Sequence, residues 1–242
     1  MALLEKLASY WRMAISPVKT FTDIAAHPPR PLKALAWMLL FRAPLLWAST
    51  ALAYSWAAQI QQIFKEPQPM LFDAVDLLTG RAEEVFFELG SLPNLPPLGD
   101  LWLWMGIFAL LWLIGLWMHN AVWDHLGLWI LRGARPKPSF RFSAAAIAEA
   151  MGAASLASIL RLIAMLPVLG LFALPLIGAA GAYFWVLRGT ALSIFHDSPI
   201  WKGIVAILLH LLLAGLFYLA LLVFSVIAVF LGIAMLDGSR LY

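Results

Sequence analysis

Five long apolar stretches alternate with short polar segments along the 242 residues of the chain. The first covers 32–58 and is interrupted by Arg42 and Pro44, while the second, dense in Trp, covers 101–131. An Ala-rich stretch at 142–166 follows, then 168–195 and 204–236. A helix needs roughly 20 apolar residues to cross the ~30 Å hydrocarbon layer, so each stretch predicts one membrane span. The third and fourth meet at LPVLGLFALP, an uncharged Pro/Gly turn that predicts a tight hairpin. The expected fold is all-α: a polytopic integral membrane protein whose single five-span transmembrane domain fills 32–242.

Two polar segments carry a weaker periodicity. In 1–31, Leu4, Leu7, Trp11 and Ile15 recur at i, i+3, i+7 and i+11, with Lys6 and Arg12 off that stripe. The pattern predicts an amphipathic helix lying in the membrane interface and attracted to anionic lipid, ended by Pro17. Packing of the same stripe against the protein's own spans fits equally well. In 59–100, Phe72, Val75 and Leu78, then Val85, Phe86 and Leu89, recur at helical spacing and predict short amphipathic helices on the membrane. Seven of the thirteen acids fall there. Such a loop could bind cations or a basic partner, or be a solvated polar face; it has no EF-hand spacing.

Composition turns the span pattern into a statement about solvent. Hydrophobic residues make up 63% of the chain and charged residues 12%, with a mean hydropathy of +0.88. Soluble domains carry about 45–50% apolar and ~25% charged residues. A core of this size could not hide the surplus, so lipid is the expected solvent. Cysteine is absent, which removes disulfides, thiolate metal sites and Cys nucleophiles. No apolar run ending in a small-residue cleavage site precedes the first span, so that span is expected to act as the targeting signal.

Charge sets the expected orientation. Eleven Lys and Arg flank the spans on one side: Lys6, Arg12, Lys19, Arg30 and Lys33, the run Arg132, Arg135, Lys137 and Arg141, then Arg188 and Lys202. The other side has three, Lys65, Arg81 and Arg240. Basic residues are retained in the cytoplasm. The N-terminus and the 1–31 segment are therefore expected inside, with the 59–100 loop and the C-terminus outside, in a bacterial inner membrane.

Polar residues within the spans are the candidate chemistry, because each charge near a helix centre costs about 2.5–3.5 kcal/mol on insertion. At 1.5 Å per residue, Arg42, Asp124, Glu149, Arg188 and His210 all lie ~9–14 Å inside their spans, and His125 adjoins Asp124. They predict one intramembrane polar layer, either a pairing layer that fixes helix register or a transport or catalytic site. Ala146, Ala150, Ala154 and Ser158 form a four-residue stripe of small side chains that admits a close helix, from the same chain or from a second copy.

Enzyme signatures are missing. The HNAVWDH run places His119 and His125 six apart, unlike HExxH, whose two His share a helix face. No GxSxG, Walker or dinucleotide turn is present. His196-Asp197 reads as a local cap or pair. No catalytic residue, metal site, cofactor or nucleic-acid partner is expected.

Several segments together resemble a known family. HLGLWILRGARPKPSFRFSAAAIAEAMGAA, the LPVLG turn, YFWVLRGTALSIFHDSPIWKGIVAIL and the leading SPVKTFTDIAAHPPRPLKAL, with its Pro–x3–Phe–x2–Ile and Pro-Pro elements, are similar to the bacterial branch of the Yip (Ypt-interacting protein) superfamily. The resemblance implies five spans and a cytoplasmic N-terminus. Eukaryotic relatives bind small GTPases through a long acidic N-terminal region and shape membranes. Here that region is short and basic, so small-GTPase binding is not carried over. His196 matches a position where the family often has His. The expected role is non-enzymatic: organising the bilayer or recruiting partners, as a homo-oligomer or as part of a larger membrane complex. A small transporter or channel using the polar layer is the competing expectation, and an intramembrane enzyme the third.

Overall fold

The computed structural model describes residues 2–66, 69–90, 93–165 and 169–238. Among these residues there are ten α-helices and no strand. The order is α1 (Ala2–Ile15), α2 (Pro17–Ala25), α3 (Pro31–Lys65), α4 (Pro69–Thr79), α5 (Ala82–Gly90), α6 (Leu98–Ile130), α7 (Phe140–Ala153), α8 (Ser155–Ala164), α9 (Leu169–Phe195) and α10 (Ile200–Gly238). Four described stretches are long and apolar enough to cross a membrane: Pro31–Lys65, Leu98–Ile130, Phe140–Ala164 and Ile200–Val229. The fourth expected span, 168–195, corresponds to the 27-residue α9. Of the expected turn LPVLGLFALP, residues 166–168 lie outside the described residues, as do 239–242; Leu169 to Pro175 is not turn but the start of α9, whose helix carries Pro175 inside it.

The chain forms two compact units. The first comprises residues 1–37, 115–154 and 181–242, and the second 38–114 and 155–180.

In the first unit α7 is the centre, with every residue from Ser143 to Ala153 buried. On α6, Trp117, Asn120, Ala121, Asp124 and Leu128 are buried at helical spacing, while Met118, Val122 and Trp129 are exposed. Leu128, Ala134, Leu192 and Ala206 form one packed cluster, against which Leu131 rests. Several polar side chains are buried while many large apolar ones face outward. Asp124, Ser143, His196 and His210 are buried, whereas α10 exposes Leu216, Phe217, Leu222 and Phe224. This inversion suits a protein whose outer solvent is hydrocarbon.

Close helix crossings depend on glycine rather than on the predicted alanine stripe alone. A methyl group on Gly203 of α10 would fall on the carbonyl oxygen of Gly189 in α9, and one on Gly152 would fall on the ring of Tyr10. Of the small-residue stripe, Ala146 and Ala150 are fully buried. The third stretch is not one unbroken helix, however. It breaks at Ala154, so Ser158 belongs to α8 and to the second unit.

In the second unit α3 runs on to Lys65, seven residues past the expected end of the first span, so the connection begins at residue 66 rather than 59. Pro44 sits within α3. The Tyr54 hydroxyl donates to the Pro96 carbonyl at 2.5 Å, and the Gln61 amide both donates to Pro93 O at 2.7 Å and accepts from Leu95 N–H at 3.1 Å. The helix therefore continues because its last turns hold the returning chain. The expected short helices appear as α4 and α5, joined through Gly80 at φ +64, a conformation glycine adopts without steric cost. Leu77 and Leu78 are more than four-fifths exposed, and the side chains of Phe72, Phe86 and Leu89 lie outside the described residues.

Candidate functional site

The N-terminal helices present three distinct faces. One face of α1 is packed: Tyr10 and Met13 are buried, Tyr10 lying against Gly152 of α7. Lys6 on the same face reaches Glu149 of α7 at 2.6 Å, and both side chains are mostly buried. The Tyr183 hydroxyl of α9 donates to the carbonyl of Ala14 at 2.6 Å. Burial, and then the charge of Glu149, push the Tyr10 phenol well above its ordinary range. The second face carries Leu4, Leu7, Trp11 and Ile15, all exposed, between 40% and 70%. The predicted stripe is thus the outward one, and the packed face is the one that sequence periodicity did not mark. Pro17 begins α2 at its first turn, where its missing N–H costs nothing, and Phe21 buries that helix.

The third face of α1, with Glu5, Ser9 and Arg12, and Ser16 just beyond it, lines a cleft of about 770 Å³. Residues of α2, the His27–Arg30 turn and the start of α3 complete its walls, and Ala145, Glu149 and Phe195 contribute from α7 and α9.

Deeper in the first unit, the residues expected in one polar layer resolve into separate groups. Asp124 of α6 and Arg188 of α9 make a buried pair, 0% and 5% exposed. One guanidinium nitrogen donates to Asp124 Oδ1 at 2.9 Å, and another donates to Asn120 Oδ1 at 3.2 Å. The Nε–Oδ2 approach of 2.8 Å is too poorly aligned to count as a hydrogen bond, so that contact is coulombic. His210 of α10 brings Nδ1 to 2.5 Å from Asp124 Oδ1. Its Nε2 lies 3.2 Å from His119 Nε2, and His119 Nδ1 lies 3.1 Å from the Tyr218 hydroxyl. One set of tautomers satisfies the whole chain: Tyr218 donates to His119, His119 to His210, and His210 to Asp124.

His125 points elsewhere, toward the end of the helices. Its Nδ1 is 2.8 Å from Ser143 Oγ, which lies 2.7 Å from His196 Nε2, and His196 Nδ1 is 2.6 Å from the carbonyl of Lys137. That carbonyl can only accept, so His196 carries its proton on Nδ1. Ser143 then donates to His196 and accepts from His125. Burial, aided by the positive charges of His125 and Lys137, lowers the His196 pKa to about 4, against the opposing pull of the Lys137 carbonyl. Ser143 and His196 are both fully buried, which makes the dyad a tie between α7 and the 131–139 connection.

Asp124, Arg188 and His210 are therefore brought together, His125 joins Ser143 and His196, and Glu149 joins Lys6. Arg42 lies half-buried on α3 in the second unit. Sequence reasoning missed the partners Lys6, Asn120, Ser143, His119 and Tyr218. Only His119 carried a signal: it precedes Asp124 by five residues and His125 by six within an apolar run. Among the described residues no cluster of His, Asp and Glu has the arrangement of a metal site.

Fold and site together define a helical protein with several helices able to cross a bilayer, polar pairs inside, and a docked amphipathic N-terminus. Comparison with protein-family profiles, characterised proteins and solved structures finds no match.

Proposed function

We propose that the chain is a non-enzymatic, five-span membrane protein of the Yip type, with its N-terminus in the cytoplasm, which organises the bilayer through its docked N-terminal helices. One observation carries the reading. The helix α1 is fastened to the helical body by Lys6, Tyr10 and Met13, and turns Leu4, Leu7, Trp11 and Ile15 outward. An amphipathic helix fixed in this way is a shallow wedge: its apolar face enters the headgroup boundary while the spans hold it at constant depth. The basic residues flanking it fit the cytoplasmic leaflet, where anionic lipid attracts Lys and Arg. The orientation rests on the distribution of Lys and Arg, and the fifth span on the length of α9, ~40 Å at 1.5 Å per residue.

Reconstitution of the full chain in liposomes tests the wedge. The wild type should tubulate or fragment vesicles and sort to the more curved ones, and Leu4→Ser with Trp11→Ser should insert equally well and lose that activity. Equal remodelling by both proteins would overturn the reading.

A second reading has its own observation, the hydrogen-bonded line Tyr218–His119–His210–Asp124. Chains of His and acidic groups carry protons in pumps and transporters. Proteoliposomes with an imposed pH gradient decide: dissipation that disappears in His119→Phe favours transport, and an intact gradient in the wild type removes it.

A further inference from the structure

The cleft beside α1 has a charge surplus that the fold does not use. Lys6 and Glu149 neutralise each other within its wall. Four further cations line it, Arg12, Lys19, Arg30 and Lys33, against two carboxylates, Glu5 and Asp23. Among the described residues none of those four cations forms an ion pair. Arg30 and Lys33 come from the turn before α3 and from its first residues, Lys19 from α2 and Arg12 from α1. Three separate elements thus bring like charges to one cavity, an arrangement that repels itself until an anion enters. The hydroxyls of Ser9 and Ser16 share the cavity wall, and Ser16 makes no side-chain cap to α2.

Two features narrow the ligand. Ile24, Trp37 and Phe195 give the cationic cavity apolar walls. The cleft face of α1 also borders its exposed apolar stripe, because residues 5, 9 and 12 and residues 4, 7, 11 and 15 lie on neighbouring sectors at 100° per residue. An anion whose apolar tail leaves along that stripe matches both. At about 770 Å³ the cleft falls within the usual range of small-ligand sites, ~300–1,000 Å³, and is large enough for a phosphate with its esterifying group.

We propose that this cleft binds a phosphate ester, held by Arg12, Lys19, Arg30 and Lys33, and that its source is the headgroup of an anionic lipid. The proposal rests on the membrane-surface placement of α1 given above. Arginine grips phosphate oxygens with its planar fork and lysine adds point charges, so the mixed set provides both orientation and attraction.

The full-length protein in detergent micelles, supplied with equal amounts of phosphatidylglycerol and phosphatidylcholine, is examined by native mass spectrometry. Phosphatidylglycerol should be retained preferentially. Each cation near an anionic surface is worth roughly fivefold in affinity, so Arg30→Gln with Lys33→Gln should weaken retention roughly 30-fold. Arg135→Gln, an exposed cation outside the cleft, should change it less than about twofold. Competition by inorganic phosphate and glycerol 3-phosphate separates the two sources of the same chemistry. Displacement by either at millimolar concentration supports a soluble phosphate ester as ligand, and resistance to both supports the lipid. Absence of preference for phosphatidylglycerol together with no binding of either soluble anion overturns the site, as does an equal loss in Arg135→Gln. The Leu4→Ser, Trp11→Ser protein keeps the four cations, so it should retain the lipid even where vesicle remodelling is lost. In the wild type, retention without remodelling would count against the wedge alone, and remodelling without retention against the cleft alone.

Discussion

Removing the Asp124 carboxylate is the sharpest test of the buried polar group. In Asp124→Asn the shape is kept and the amide oxygen can still accept from Arg188, but the negative charge facing a 5% exposed guanidinium is gone. Two unit charges ~4 Å apart attract by about 4 kcal/mol at an effective dielectric near 20. Deleting one partner of a buried pair generally costs ~3–5 kcal/mol, because the other charge stays buried without its counterion. Asn120 already takes one guanidinium nitrogen at 3.2 Å and can soften the loss, so the lower end, ~3 kcal/mol, is expected. The assay is reversible SDS unfolding from mixed micelles followed by Trp fluorescence, with the exposed Glu83→Gln as reference, expected within about 0.5 kcal/mol of wild type. Asp124→Leu combined with Arg188→Met removes both charges and should recover much of the loss, since apolar replacement of a buried pair is often neutral. A loss below about 1 kcal/mol for Asp124→Asn, or a double variant less stable than the single, would refute the reasoning.

Glu149→Gln should release α1 at a cost of ~2 kcal/mol and raise hydrogen exchange in residues 2–15, with little change in α9. Gly203→Val should destabilise by more than about 2 kcal/mol in the same SDS titration, because the side chain meets the Gly189 backbone and not a movable side chain. His196 binds its proton near pH 4 when folded and near ~6.5 when unfolded, so between these values the unfolded chain holds more protons. Stability should therefore be level above about pH 6.5 and fall by up to ~3 kcal/mol as pH drops toward 4, a slope that His196→Gln should flatten. In the cysteine-free chain, Glu83→Cys should react with impermeant maleimide from outside and Ser139→Cys only after lysis; outside labelling of Ser139→Cys would defeat the five-span topology.

The long helices were legible because their signal is one-dimensional. Twenty apolar residues in a row need no partner to be recognised, and α3, α6 and α10 lie near their expected places. The ends were less legible where tertiary contacts set them: α3 extends to Lys65 because Gln61 holds the returning chain, a contact across more than thirty residues. Level along the helices could be counted for Asp124, Arg188 and His210, which the structure brings together, whereas Glu149, counted to the same level, joins Lys6 instead. Azimuth was not readable. In helices apolar all round, the sequence has no polar face to show which way Glu149 points, and its partner Lys6 lies in a segment read as interfacial. The same blindness made Leu4, Leu7, Trp11 and Ile15 the obvious stripe and left Tyr10 and Met13, which do the packing, unmarked.

The charges of the first unit then divide by what they face. Asp124, Arg188, Lys6 and Glu149 are paired across helices, and each pair joins elements far apart in sequence, α6 to α9 and α1 to α7. Such pairs bring little net stability and favour one arrangement of helices over others, because any other packing leaves a charge in hydrocarbon. Arg12, Lys19, Arg30 and Lys33 are different: they converge on an open cleft, and no carboxylate is within ion-pair distance among the described residues. Collecting them there costs repulsion and gives the fold nothing in return. The first set explains why α1 sits where it does. The second is the set that the proposed lipid site would use, since cations collected on one side of a docked helix are attracted to anionic headgroups.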